Sequence, residues 1–255
     1  MRLDDPSRQR PSWPRRGAGE RVAVLAHRGG EGPWRENTLR AFLAALDAGA
    51  DGVELDVRLS ADAVAVVHHD AAVEGAGPLA AMAAGELPSW VPTLAQALEA
   101  CAGALVNVEL KLEPAEASER SGPATDALAR AVVPVLAGAD CAAVVSSFWP
   151  DALEAVSTLE DAAGLGASTP LALLVHPALD AQDALVRARA LGWAAIHPHV
   201  SQITGELVGR AHGLGLGVTT WTVNDPAEVE RALACGVDGL ITDTVAAAVA
   251  ACRLG

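Results

Sequence analysis

The 255 residues contain no tyrosine and only two phenylalanines. Aliphatic side chains must therefore pack the interior, with alanine supplying much of the helix. Basic residues are also scarce: 18 Lys and Arg stand against 32 Asp and Glu, a formal net charge of −14. That balance excludes nucleic acid as a partner, because counterion-release binding needs clustered Lys and Arg. An anionic ligand would need a local positive centre, from a metal or a few basic side chains. No run approaches the ~18 apolar residues that span a bilayer, so stable membrane insertion is not expected. The four cysteines, at 101, 141, 235 and 252, form no CxxC pair and sit in Ala/Leu-rich surroundings. They read as free thiols acting as small buried hydrophobes.

Residues 1–20, "MRLDDPSRQRPSWPRRGAGE", are rich in Pro and Arg and lack an apolar signal core. They read as a disordered leader, and a cytoplasmic location is expected. The remainder, 21–255, reads as a single domain. With 51% hydrophobic residues it can bury a large core.

From residue 21 onward, short apolar runs alternate with Ala-rich amphipathic stretches. Strands are expected at 22–27, 52–57, 104–111, 142–148, 171–175, 194–198, 217–223 and 239–242. Between them lie helical patterns such as 36–49, 93–103 and 225–236, each ending at Gly. Such alternation implies βαβ units and a parallel sheet. Eight units in about 235 residues match a (β/α)8 TIM barrel with a short insertion, about 60–92, after the second strand. The rival is an open doubly wound sheet, which would carry a Gly-rich phosphate loop after its first strand. Here that strand ends in "AHRGGEGPWRENT" instead, which favours the barrel.

"VELDVRL" (53–59) sets Glu54, Asp56 and Arg58 among alternating apolar residues. "VNVELKL" (106–112) repeats the pattern with Asn107, Glu109 and Lys111. An ordinary surface strand would explain one such segment. In a barrel, both apolar faces pack under the helices and both polar faces point inward, toward the site at the C-terminal mouth. Carboxylates gathered there repel one another unless a cation lies between them. Hard oxygen ligands on rigid strands suit one divalent cation, Mg²⁺ or Ca²⁺, and no Cys/His cluster has zinc spacing. His27 and His69 flank the carboxylates, a placement suited to acid–base work.

In order, "AHRGGEGPWRENTLRAF", "GADGVELDVRLSADAVAVVHHD", "VPTLAQAL", "VNVELK", "SSF", "TTWTVND" and "GVDGLITD" resemble the glycerophosphodiester phosphodiesterase family over about residues 22–243. The resemblance implies hydrolysis of a small-molecule glycerophosphodiester to sn-glycerol 3-phosphate and an alcohol. It further implies attack by the neighbouring glycerol hydroxyl, through a cyclic phosphate that water opens. It assigns His27 and His69 as the acid–base pair, with Asp70 supporting the loop. Glu54, Asp56 and Glu109 become the metal ligands. Arg28 and Lys111 become phosphate contacts, and Trp221 lies against the substrate. Asn37 or Thr38 is expected to cap the following helix, and Glu36 and Asn37 are read as belonging to that cap rather than to catalysis. His68 is expected on the opposite strand face from His69. His197 and His199 are assigned either to the pocket or to a loop, and Trp34 and Trp149 to the rim.

Two departures from the family pattern bear on specificity. The run after His69 lacks the usual Arg-Thr pair and is short, and the turn after the second strand reads "ADA" (61–63). Two alternatives follow: a phosphodiesterase of the same barrel acting on lysophospholipids or inositol phosphodiesters, or a non-catalytic barrel that binds a phosphorylated ligand. The former would need an apolar rim, for which Leu79, Met82, Leu87 and Trp90 are candidates.

Overall fold

The computed structural model describes residues 21–113, 122–164 and 169–254, so the expected leader lies outside the described residues. The strands are β1 (Ala23–His27), β2 (Gly52–Leu59), β3 (Ala65–Val67), β4 (Ala72–Val73), β5 (Gly77–Pro78), β6 (Leu105–Leu110), β7 (Ala142–Ser147), β8 (Leu171–Val175), β9 (Ala195–Pro198), β10 (Gly217–Thr220) and β11 (Gly239–Thr242). The helices are α1 (Leu39–Asp47), α2 (Leu94–Ala100), α3 (Pro123–Ala137), α4 (Pro150–Ala162), α5 (Ala181–Ala190), α6 (Gly205–Gly213), α7 (Pro226–Cys235) and α8 (Val245–Leu254). β1 pairs in parallel with both β2 and β11, closing the ring β1-β2-β6-β7-β8-β9-β10-β11. This is the expected (β/α)8 barrel.

Local chemistry sets the punctuation. Thr38, Thr93, Asp180, Thr204 and Asp225 accept a backbone N–H at the starts of α1, α2, α5, α6 and α7. Gly236 ends α7 at φ 78°, a left-handed turn that suits glycine. Gly52 opens β2 where a Cβ would stand 2.0 Å from the Leu105 carbonyl oxygen, so β2 and β6 meet there only without a side chain.

The alternation seen in the sequence sorts the side chains into two layers. Val53, Leu55 and Val57 on β2, with Val106, Val108 and Leu110 on β6, pack under the helices. Each fully buried Val or Leu contributes about 1.5–3 kcal/mol to folding. The opposite faces point inward. Leu25, Val144, Ala172, Ala195 and Ile241 fill the barrel there, small residues predominating because eight strands leave little room.

Between β2 and α2 the chain makes β3, antiparallel to β2, then the small β4–β5 ribbon. Val66, Val73, Leu79, Leu87 and Val91 form a core of their own beneath this segment, with Met82 and Trp90 packed against it. The expected apolar rim is thus turned inward: Leu79 and Leu87 are buried.

Element ends differ from expectation in two informative places. The helix expected over 36–49 starts at Leu39, because Asn37 takes φ 56° and cannot continue a helix. The strand expected over 217–223 ends at Thr220, and Trp221 forms a single bridge to His199. Cys101, Cys141 and Cys235 are free thiols, and Cys252 is buried. Among the described residues, no helix is long and apolar enough to cross a membrane.

Candidate active site

Glu54 and Asp56, two residues apart on β2, project from its inner face, and Glu109 does so from β6 directly opposite Asp56 in register. All three are buried, and one carboxylate oxygen from each lies within 4.8 Å of the others. Burial, then the charge of Asp56, pushes Glu54 and Glu109 well above the usual carboxylate range. Glu54 Oε2 accepts the Arg28 backbone N–H at 3.0 Å. Its Oε1 is buried without a hydrogen-bond partner among the described residues. Lys111 Nζ stands 2.8 Å from Glu109 and 3.5 Å from Asp56, and Arg28 Nε 3.3 Å from Asp56. Three buried carboxylates thus share two cations, and one Glu54 oxygen is left without a partner among the described residues. That donor set, all hard oxygen, fits a divalent cation of the Mg²⁺ or Ca²⁺ type.

His27 ends β1 with Nδ1 2.7 Å from Asp243 Oδ1. Asn224 donates to the other Asp243 oxygen at 2.6 Å and accepts the Asp243 backbone N–H at 2.8 Å. Burial works to lower the His27 pKa, but the Asp243 hydrogen bond and the Glu54 charge outweigh it and hold the imidazole above its ordinary value. His69 Nδ1 lies 2.7 Å from Asp70 Oδ1, and Arg58 Nε donates to the His69 carbonyl at 2.6 Å. Burial lowers the His69 pKa, with Lys111 adding to the effect and Asp56 opposing it. Each imidazole thus has Nδ1 engaged by an aspartate and Nε2 left for the cavity.

That cavity, about 150 Å³, takes its polar lining from His27, Arg28, Glu54, His69, Asn107, Glu109 and Lys111. Phe148, Leu174, Trp221 and Ile241 form the apolar wall. Phe148 and Trp221 meet edge to face at 5.3 Å, and the Trp221 indole N–H donates to the His197 carbonyl at 2.7 Å. A wider cleft of about 460 Å³ adjoins it, running from His69 past Arg35, Glu36 and Glu74 to Trp90.

The structure therefore brings together His27, Arg28, Glu54, Asp56, His69, Glu109, Lys111 and Trp221. His68 turns away from them, its ring 5.8 Å from Trp90 and its Nδ1 donating to the Asp70 carbonyl at 3.0 Å. His197 belongs to neither the pocket nor a loop. It sits on β9, fully buried, and burial pushes its pKa down to about 3. His199 packs edge-on against Trp221 at 5.1 Å. Trp34 lies in a separate groove between α1 and α8, and Trp149 packs on the main core, so neither rims this cavity.

The cap assignment for Glu36 and Asn37 is corrected. Thr38 caps α1, Glu36 pairs with Arg28 at 3.1 Å, and the Asn37 amide donates to Asp56 Oδ2 at 2.7 Å. Sequence reasoning passed over Asp243 and Asn224, although both lie in the quoted blocks "GVDGLITD" and "TTWTVND". An acidic residue at the end of the last barrel strand was the available signal.

A family model for the glycerophosphoryl diester phosphodiesterase family matches residues 27–247. A glycerophosphodiester phosphodiesterase of Caldanaerobacter subterraneus subsp. tengcongensis is 29% identical over 249 residues, covering 88% of this chain and 94% of that one. A putative glycerophosphoryl diester phosphodiesterase from Silicibacter pomeroyi superposes with a TM-score of 0.78 at 26% identity, covering 93% of this chain and 95% of that one. An Oleispira antarctica phosphodiesterase, solved in complex with the product sn-glycerol-3-phosphate, superposes with a TM-score of 0.76 at 25% identity, covering 92% and 98%. With its closed barrel and a family match over most of its length, this chain belongs to the glycerophosphoryl diester phosphodiesterase family of hydrolases.

Proposed function

We propose that the protein hydrolyses glycerophosphodiesters to sn-glycerol 3-phosphate and an alcohol, using a divalent cation held by Glu54, Asp56 and Glu109. One observation carries this reading. Two histidines, each fixed through Nδ1 by an aspartate, line one cavity with the buried carboxylates. Bound there, the cation would supply Lewis-acid polarisation of a phosphoryl oxygen.

The side chains divide the remaining work. Arg28 and Lys111 offset the phosphate charge at one edge of the cavity. One imidazole takes the proton from the attacking glycerol hydroxyl, and the other gives a proton to the departing alcohol oxygen. The cyclic phosphate so formed is opened by water, with the imidazole roles reversed. Phe148 and Trp221, packed edge to face, give the cavity an apolar wall that shields the reacting groups from bulk water.

The product complex of the Oleispira antarctica relative supports sn-glycerol 3-phosphate as the retained half. Burial of Leu79 and Leu87 counts against the lysophospholipid alternative, since the apolar rim it needs is spent on a local core. The test is release of sn-glycerol 3-phosphate from glycerophosphocholine by chelated protein, with and without added Mg²⁺ or Ca²⁺. Release that needs the cation supports the reading. Undiminished release in chelator refutes the metal role, and no release under any condition refutes the activity.

A further inference from the structure

Asn37 sits immediately before the α1 cap, yet its side chain turns away from the helix. It is buried and takes φ 56°, and Arg28 is also left-handed, at φ 53°. Non-glycine residues rarely adopt this conformation without cause. The cause here is a linked set of hydrogen bonds. The Asn37 backbone N–H donates to the Arg28 carbonyl at 2.8 Å, tying the two left-handed residues together. The Arg28 backbone N–H donates to Glu54 Oε2 at 3.0 Å. The Asn37 amide clamps Asp56 at two points, donating to Oδ2 at 2.7 Å and accepting the Asp56 backbone N–H at 3.2 Å. The loop after β1 therefore holds both carboxylates of β2, one through a backbone N–H and one through a side-chain amide.

We infer that Asn37 is a positioning residue for the metal centre, orienting the Asp56 carboxylate through its amide. The inference rests on Glu54, Asp56 and Glu109 being the ligands. An amide suits the position better than the alternatives. It bonds a carboxylate oxygen while remaining neutral beside three buried acids, and Asn tolerates the left-handed backbone better than most residues. Free of this bond, Asp56 would be drawn to Arg28 and Lys111, which stand 3.3 and 3.5 Å away. Groups that hold a ligand's orientation from behind typically change metal affinity by about 10–100-fold when removed.

Glycine is the decisive replacement, since Asn37→Gly deletes the amide and keeps the φ 56° backbone accessible. Mn²⁺ would be titrated into chelator-stripped wild type, Asn37→Gly and Thr38→Ala, with Tm recorded for each before metal is added. Thr38→Ala removes the helix cap and the hydroxyl's bond to the Arg35 carbonyl but no bond to Asp56, so it should lower Tm and leave Mn²⁺ affinity within about twofold. Asn37→Gly should weaken Mn²⁺ binding about 10–100-fold, with kcat recovering toward wild type at saturating Mn²⁺. Mn²⁺ affinity within about threefold of wild type would overturn the inference. Should the glycine variant not fold, Asn37→Asp carries the test: it keeps the acceptor for the Asp56 N–H and exchanges the donor for a repelling charge. Weaker Mn²⁺ binding in that variant supports the inference, and equal or tighter binding overturns it. Wild type that binds no Mn²⁺ would overturn the metal reading and this inference with it.

Discussion

Asp243 Oδ1 lies 2.7 Å from His27 Nδ1. The two residues end β1 and follow β11, strands adjacent in the barrel although 216 positions apart in the chain. A carboxylate on Nδ1 fixes the tautomer, so that Nε2 is the nitrogen free to exchange a proton in the cavity.

Asp243→Asn should therefore act through His27. With the raising hydrogen bond and charge gone, the His27 pKa falls, and the limb of the kcat–pH profile set by His27 moves to lower pH. We expect kcat to drop by about 10–10³-fold, within the range that acid–base assistance contributes. A variant with wild-type kcat and an unshifted profile would show that Asp243 is only a structural contact.

The two histidines should be separable from their neighbour. His27→Ala and His69→Ala are each expected to lower kcat by about 10²–10⁴-fold. His68→Ala, whose ring meets Trp90 outside the cavity, should cost less than about tenfold. A loss at His68 as large as that at His69 would move the catalytic assignment by one residue.

The acid cluster predicts an unusual stability profile for the metal-stripped protein. Burial and mutual repulsion push Glu54 up to about 8 and Glu109 up to about 7. Between the ordinary carboxylate range and those values the folded state holds more protons than the unfolded chain. Stability must then fall as pH rises through that window. The Tm of chelated protein should be highest near about pH 5 and decline toward about pH 8, and a saturating hard cation should flatten the slope by replacing the protons. A Tm that rises with pH in chelator would contradict the coupling.

The cleft between His69 and Trp90 is wide, and its nearest polar groups are already committed. Asp70 is held by His69, Glu36 by Arg28, and Arg35 lies over the Trp90 ring with Glu74 4.0 Å away. Few groups remain to read the departing alcohol. Glycerophosphodiesters of choline, ethanolamine and glycerol should therefore differ by less than about 10³-fold in kcat/KM. Arg28→Ala should penalise all three alike, because its proposed contact is with the phosphate they share. A single strongly preferred headgroup would show dedicated contacts in that cleft.

What could be read from the sequence and what could not divides along the range of the interactions. Alternation in "VELDVRL" and "VNVELKL" determined which face of β2 and β6 is apolar, because successive strand residues point to opposite sides whatever the partner. It therefore placed Glu54, Asp56, Glu109 and Lys111 on one inner surface, and the regular spacing of strands and helices determined the barrel. Ring closure and three-dimensional proximity decided the rest. Asp243 and Asn224 meet His27 only because β11 pairs with β1, a contact between chain ends that no local pattern encodes. Asn37 looks like a helix cap by composition, and only its burial beside Asp56 and its φ of 56° reveal the other role. Likewise Leu79 and Leu87 read as rim residues until the fold gave them Val66 and Val73 to pack against. Periodicity reports the face a side chain occupies, whereas its partner depends on which distant segment the closed barrel brings to that face.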